Sequence, residues 1–74
     1  MELNAMGLKC PMPIVRLGKA IKEIQAGEQI TIIADDKPFP SDLRAWCKAT
    51  GHTLVSLDEK NAPRYVAVIR KESR

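Results

Sequence analysis

The chain has 74 residues, of which 45% are apolar and 28% charged, and its formal net charge is +3. This balance is typical of a soluble globule, and we expect one domain over residues 1–74. A chain of this length buries only about 60% of its unfolded surface, which excludes the enclosed substrate cavity of a large enzyme and predicts surface chemistry with partners. No apolar run approaches a membrane span and the first residues lack a secretory pattern, so we expect a cytoplasmic protein with reduced cysteines.

The excess of basic over acidic residues and the number of aromatic residues indicate whether the chain binds nucleic acid or protein. The excess is mild, and only three aromatic residues occur. Proteins that bind nucleic acid usually show a clustered basic patch or a stacking platform. The sequence therefore favours protein partners over direct contact with tRNA. Three basic residues of the first helix, Arg16, Lys19 and Lys22, could steer an acidic protein or tRNA toward the chain. A solvated helix face explains most of these charges.

The first half of the chain predicts a strand, a helix and a second strand. Residues 2–6 can form a short strand. From residue 11 to about 26, apolar residues recur every three or four positions, which predicts an amphipathic helix that Gly27 ends. Gly18 lies inside this helix, where it costs about 1 kcal/mol relative to alanine and could mark close packing on the sheet or a weakened docking face. Residues 28–34 are rich in β-branched side chains and predict a central strand.

The second half predicts one more helix and two more strands. Residues 35–40 contain two prolines and two aspartates, which favour a loop. Ser41 or Asp42 can then cap a second helix that ends at Gly51. Two further strands are predicted at residues 53–57 and 65–70, joined by a polar hairpin loop.

The predicted order of elements is β-α-β-α-β-β. Right-handed crossovers place both helices on the same face of a four-stranded mixed sheet. We therefore expect an α+β fold, a two-layer α/β sandwich.

The run Cys10-Pro11-Met12-Pro13 carries the clearest chemical signal. Proline is tolerated in the first turn of a helix, so this run stiffens the helix entry and places Cys10 at or beside the N-cap. There the helix dipole and the neighbouring Lys9 favour the thiolate, and we expect the pKa of the thiol to fall below its ordinary value, less than at a helix start without prolines. The alternative is an inert cysteine in a proline-stiffened helix entry.

Residues 7–13, Gly-Leu-Lys-Cys-Pro-Met-Pro, resemble the G-L-x-C-P-x-P signature of the TusA (SirA-like) sulfur-carrier family. The resemblance continues at residues 33–36, 46–47, 51–52 and 69–71, and covers essentially the whole chain. Three positions depart from the pattern: Asn4 stands where the family commonly has aspartate, Lys37 separates Asp36 from Pro38, and Gly18 lies inside the first helix.

The resemblance implies a sulfur carrier that accepts sulfur as a persulfide on Cys10, supported by Lys9, Pro11 and Pro13. It implies a cysteine desulfurase or rhodanese-like protein as donor, and a downstream acceptor that serves tRNA thiolation, molybdenum-cofactor assembly or sulfur oxidation. We expect no cofactor and no metal. Whether such a carrier counts as an enzyme stays open, because it is consumed and regenerated in each transfer. The alternative is a protein- or RNA-docking regulatory module in which Cys10 is incidental.

Four other residues are candidates for chemistry. Cys47 lies on the apolar stripe of the second helix, which favours a core thiol over a resolving partner for Cys10. His52 follows the end of that helix and is expected at the surface or in a turn. A metal site built from Cys10, Cys47 and His52 would lack any recognised ligand spacing and would need a fourth group. Asp35 and Asp36 look like a catalytic carboxylate pair, but their position before a proline-rich turn favours a turn-and-cap role over contact with a basic partner.

Overall fold

The computed structural model describes residues 1–73, and they form four strands and two helices in the predicted order. The elements are β1 (Glu2–Ala5), α1 (Met12–Ile21), β2 (Gln29–Ala34), α2 (Phe39–Thr50), β3 (Thr53–Asp58) and β4 (Tyr65–Arg70). Within these residues, neither helix has the length and apolar character needed to cross a bilayer.

The strands form one mixed sheet in the order β1-β2-β4-β3. β1 pairs with β2 in parallel, whereas β4 is antiparallel to both β2 and β3. Strands β1, β2 and β3 therefore run in the same direction, and the two connections between them each carry a helix. The helices contact each other and pack over the sheet. The predicted α+β sandwich is confirmed.

The core lies between the sheet and the helix pair. Buried and more exposed residues alternate along β2, and they also alternate along β4, which runs antiparallel to it. One stripe of each helix covers the buried face of the sheet. The largest fully buried side chains come from both layers: Pro13, Leu17, Ile30, Ile32, Phe39, Leu43 and Ile69. Each such apolar side chain contributes about 1.5–3 kcal/mol by leaving water.

The first helix is shorter than predicted, because it ends at Ile21 rather than near residue 26. After it, the amide of Glu23 donates to the carbonyl of Ala20 at 3.0 Å, a tighter three-residue spacing. The Glu28 carboxylate then accepts from the amide of Gln25 at 2.7 Å and closes a turn. The three- and four-residue spacing of apolar side chains continues to Ile24, which is buried. Burial does not require a helix, so this spacing predicted a longer helix than the one observed.

The second helix begins earlier than predicted, at Phe39 instead of Ser41 or Asp42. Pro38 is its N-cap residue, Pro40 lies in its first turn, and no side chain caps its N-terminus. Proline fits this position because first-turn amides have no intrahelical acceptor. The prediction of a loop through residue 40 was therefore wrong. The predicted end is confirmed, since Gly51 has φ of 83° and its amide donates to the carbonyl of Cys47 at 2.9 Å.

Replacing Gly18 by alanine is expected to stabilise the fold. A Cβ at this position would meet nothing within 4 Å, so close packing on the sheet does not explain the glycine. Alanine should recover about 1 kcal/mol of helix propensity, which raises Tm by about 4–8 °C in a domain of this size. Thermal unfolding followed by circular dichroism measures this change.

Gly27→Ala is the matched control for Gly18→Ala. Its Cβ would also meet open space, but Gly27 has φ of +92°. A left-handed backbone costs an L-residue about 1–2 kcal/mol, so this variant should lose stability. If Gly18→Ala is destabilised as much as Gly27→Ala, helix propensity does not decide the effect at position 18.

Candidate functional site

The loop between β1 and α1 lies beside the loop between β2 and α2. Because β1 and β2 are parallel neighbours, their carboxyl ends meet at the same edge of the sheet. Asp35 accepts a hydrogen bond from the amide of Gly7 at 2.9 Å, and Asp36 accepts one from the amide of Cys10 at 2.8 Å. The turn-and-cap role predicted for the two aspartates is wrong, because α2 has no side-chain cap and both side chains instead accept from backbone amides of the neighbouring loop.

Cys10 lies on the surface at the entry to α1. It is an exposed free thiol that directly precedes Pro11, the N-cap residue of the helix. Pro13 is fully buried in the first turn, which fixes the helix entry against the core. The amide of Met12 donates to the carbonyl of Lys9 at 2.8 Å and tightens the loop around the cysteine. The stiffened, solvent-facing helix entry predicted from the sequence is therefore present.

The thiol of Cys10 contacts an acidic side chain of the other helix. Its Sγ donates a hydrogen bond to Oδ2 of Asp42 at 2.8 Å. Asp42 lies in the first turn of α2. The first turns of the two helices meet because both helices follow parallel strands. From the sequence, Asp42 is predicted only as a possible N-cap of the second helix. The signal that places it beside Cys10 is the parallel pairing of β1 and β2, which brings the starts of the two helices together.

This environment raises the pKa of the Cys10 thiol above its ordinary value. The hydrogen bond to Asp42 is the largest cause, followed by partial loss of solvent and by repulsion from the carboxylates of Asp42 and Asp36. The predicted lowering of the pKa by the helix dipole and Lys9 is wrong. Full negative charges act directly on the sulfur, whereas the dipole begins beyond the cysteine and its first turn lacks amide donors at the prolines.

Cys47 and His52 are parts of the folded framework. Cys47 is buried, as predicted, and burial raises the pKa of its thiol. His52 is half-buried: its Nδ1 accepts from the amide of Glu72 at 3.1 Å, and its ring centre lies 5.5 Å from that of Trp46. Across residues 1–73, no three histidine, cysteine, aspartate or glutamate side chains gather in a way that could hold a metal ion.

Three exposed apolar side chains lie close to Cys10 along the chain. Met6, Met12 and Val15 are each at least 40% exposed, and they lie in the loop or near the start of α1. A groove of about 490 Å³ does lie between the helices, but it is lined by Val15, Lys22, Trp46 and other residues, and Cys10 is not among them. The thiol therefore stands on an open surface, where a partner protein could cover it.

Comparisons with known proteins point to one family. Residues 1–71 match the sulfurtransferase TusA family. The chain is 42% identical over 59 residues to a protein of Neisseria meningitidis serogroup A named as a candidate sulfur carrier, covering 80% of each. It is 49% identical over 53 residues to YrkI of Bacillus subtilis, similarly named, covering 72% of this chain and 71% of the relative.

A solved structure shares the whole fold. The crystal structure of the SirA-like protein from Desulfitobacterium hafniense superimposes with a TM-score of 0.82 and 25% sequence identity, covering 99% of this chain and 100% of that one. Family, relatives and fold agree with the resemblance first seen around Cys10. The chain belongs to the TusA family of sulfur carriers.

Proposed function

We propose that this chain carries a sulfane sulfur as a persulfide on Cys10 and relays it to a downstream acceptor. One observation supports Cys10 above every other residue: it is the exposed thiol, whereas Cys47 is buried. The Cys10 loop is also anchored through its backbone to Asp36 and stiffened by Pro11 and Pro13. A carrier needs a sulfur that partners can reach at a defined position, and Cys10 meets both requirements.

Loading of the carrier is a transfer between two sulfur atoms without net oxidation. The Cys10 sulfur attacks the outer sulfur of a donor persulfide and forms a new S–S bond. The donor's own S–S bond breaks, and its electron pair leaves with the donor's inner sulfur as a thiolate, which takes up the proton released by the Cys10 thiol. Delivery repeats these steps, with the acceptor as nucleophile and the Cys10 sulfur as leaving group.

The open surface around Cys10 implies that the donor and the acceptor are proteins that dock over it. Met6, Met12 and Val15, which are exposed within five residues of Cys10 in the chain, offer apolar side chains to such a partner, and the adjacent Lys9 is exposed too. A cysteine desulfurase or a rhodanese-like protein is the proposed donor. The acceptor would serve tRNA thiolation, molybdenum-cofactor assembly or sulfur oxidation, in the cytoplasm, where Cys10 stays reduced.

Peptide-resolved mass spectrometry tests this function. The chain is incubated with a cysteine desulfurase and cysteine, digested, and examined at both cysteine-containing peptides. We expect one added sulfur on the Cys10 peptide and none on the Cys47 peptide. Sulfur found only on Cys47, or on neither peptide while the desulfurase itself is loaded, would contradict the proposal.

A further inference from the structure

The side chain of Asp42 is hydrogen-bonded to the sulfur of Cys10 and does not cap its own helix. It lies in the first turn of α2, yet this helix has no side-chain cap. In the part of the chain that the structure describes, the hydrogen bond of the Asp42 carboxylate is the one it accepts from Cys10 Sγ, 32 residues earlier in the chain. This carboxylate therefore acts on the sulfur atom that the proposed function uses.

The contact suits a thiol and does not suit a persulfide. A thiol is neutral at neutral pH and donates its hydrogen to the carboxylate. A persulfide is a stronger acid than a thiol and is ionised at neutral pH, so it has no hydrogen to donate and carries a charge of the same sign as Asp42. The added sulfur also extends the side chain by an S–S bond of about 2 Å, while only 2.8 Å separate Sγ from Oδ2.

We propose that Asp42 is a positioning residue for the carried sulfur: it holds the unloaded Cys10 as a thiol turned toward α2, and it repels the charged persulfide toward solvent. This inference rests on the proposed function of Cys10 and adds a switch to it. Loading breaks the contact and unloading restores it. The loaded sulfur then faces the acceptor, while the unloaded thiol is protected from adventitious oxidants and electrophiles, which react with the thiolate.

The other charged groups near the sulfur support this arrangement. From the loop after β2, Asp36 adds a second negative charge that acts on Cys10, and Asp35 holds the same loop at Gly7. From the cysteine's own loop, Lys9 supplies the neighbouring positive charge, but no group lowers the pKa of the thiol. A donor that presents a cation or a hydrogen-bond donor to Asp42 would release the thiol as it docks.

The pH profile of Cys10 alkylation tests the unloaded half of the switch and needs no sulfur donor. Iodoacetamide labelling of the Cys10 peptide is followed across pH in wild type, Asp42→Asn, Asp42→Glu and Asp36→Asn. Because the carboxylate raises the pKa of the thiol, Asp42→Asn should move the midpoint to lower pH and speed labelling several-fold at neutral pH. Asp36→Asn should move it less, and Asp42→Glu should stay near wild type.

The outcomes separate this inference from a structural role and from the carrier function itself. A profile of Asp42→Asn that coincides with wild type, in a protein with unchanged circular dichroism, would overturn the role of Asp42 even if Cys10 still loads. If Asp42→Asn is unfolded, the Asp42 carboxyl signal of unloaded wild type, compared by carbon-13 NMR with that of Cys10→Ala, decides: equal chemical shifts would show that the carboxylate does not hold the thiol and would overturn the role of Asp42.

Carbon-13 NMR of the Asp42 carboxyl group tests the loaded half. In Cys10→Ala the carboxylate has no thiol donor, and its chemical shift defines the released state. Loaded wild type should reproduce that shift, and unloaded wild type should differ from it. An Asp42 signal that does not change when Cys10 is loaded would show that the persulfide stays against α2 and that this half of the inference is wrong.

Discussion

A Cys10→Ser variant is expected to accept no sulfur from a persulfide donor. The serine hydroxyl is far less acidic than a thiol, and its oxygen cannot form the disulfide-like bond that holds the sulfane sulfur. The expected result is complete loss of loading, measured as added sulfur per chain by mass spectrometry of the intact protein. Serine can still donate a hydrogen bond to Asp42, so the fold and the loop should be retained.

Cys47→Ala is the matched control for Cys10→Ser. It removes the other thiol, which is buried, and should cost about 1 kcal/mol of stability as an ordinary core truncation. Its loading should equal that of wild type. If Cys10→Ser loads as well as Cys47→Ala, the carrier mechanism proposed here is wrong, whatever the family membership.

Complementation with the same variant separates the carrier from the docking module. In a host that lacks its own copy, a docking module should still work with serine at position 10, because the sandwich and its surface are unchanged. A persulfide carrier should fail completely. Restoration of growth by Cys10→Ser would therefore support docking in which Cys10 is incidental.

The sequence predicted the fold well because the strongest signals are local. The strand at Tyr65–Arg70 was predicted with its observed bounds, and Gly51 was recognised as the end of α2. The start of α2 was missed because proline was taken as a helix breaker, although it is favoured at the first helical positions. The position of a proline within a helix decides its effect, and the sequence alone left that position open.

The site was predicted at Cys10, but its electrostatics were not. The helix dipole and Lys9 are close to Cys10 along the chain, so sequence reasoning weighed them. Asp36 and Asp42 lie 26 and 32 residues further on, and only the fold brings them to the sulfur. The parallel pairing of β1 with β2 makes this meeting necessary, since the residues that follow two parallel neighbours share an edge of the sheet.

Phe39 connects the core of the protein to the site. Its side chain is 1% exposed and stacks on Tyr65 of β4, with ring centres 6.4 Å apart. It is the first residue of α2, and its amide donates to the carbonyl of Asp36 at 3.0 Å. The same residue therefore anchors the helix that carries Asp42 and the loop that fastens Cys10.

Phe39→Ala is expected to be the most destabilising substitution considered. Removing a buried phenylalanine costs about 3–5 kcal/mol, and a domain of this length has a total stability of about 4–11 kcal/mol. The variant should be partly unfolded at 37 °C, whereas Phe39→Leu, which keeps most of the volume, should lose much less. Urea unfolding followed by Trp46 fluorescence measures both free energies of unfolding, with the 45% exposed Val55 truncated to alanine as a surface control.

The labelling rates of the two cysteines measure the same loss of stability within one molecule. In the folded protein Cys10 is exposed and Cys47 is buried, so iodoacetamide should label Cys47 only when the core opens. Phe39→Ala should raise the labelling of Cys47 relative to Cys10 by the same factor as it raises the open fraction, while Val55→Ala should leave the ratio unchanged. If Cys47 stays as protected in Phe39→Ala as in wild type, the packing of Phe39 does not hold the two layers together, and the link between the core and the site that we infer from it is lost.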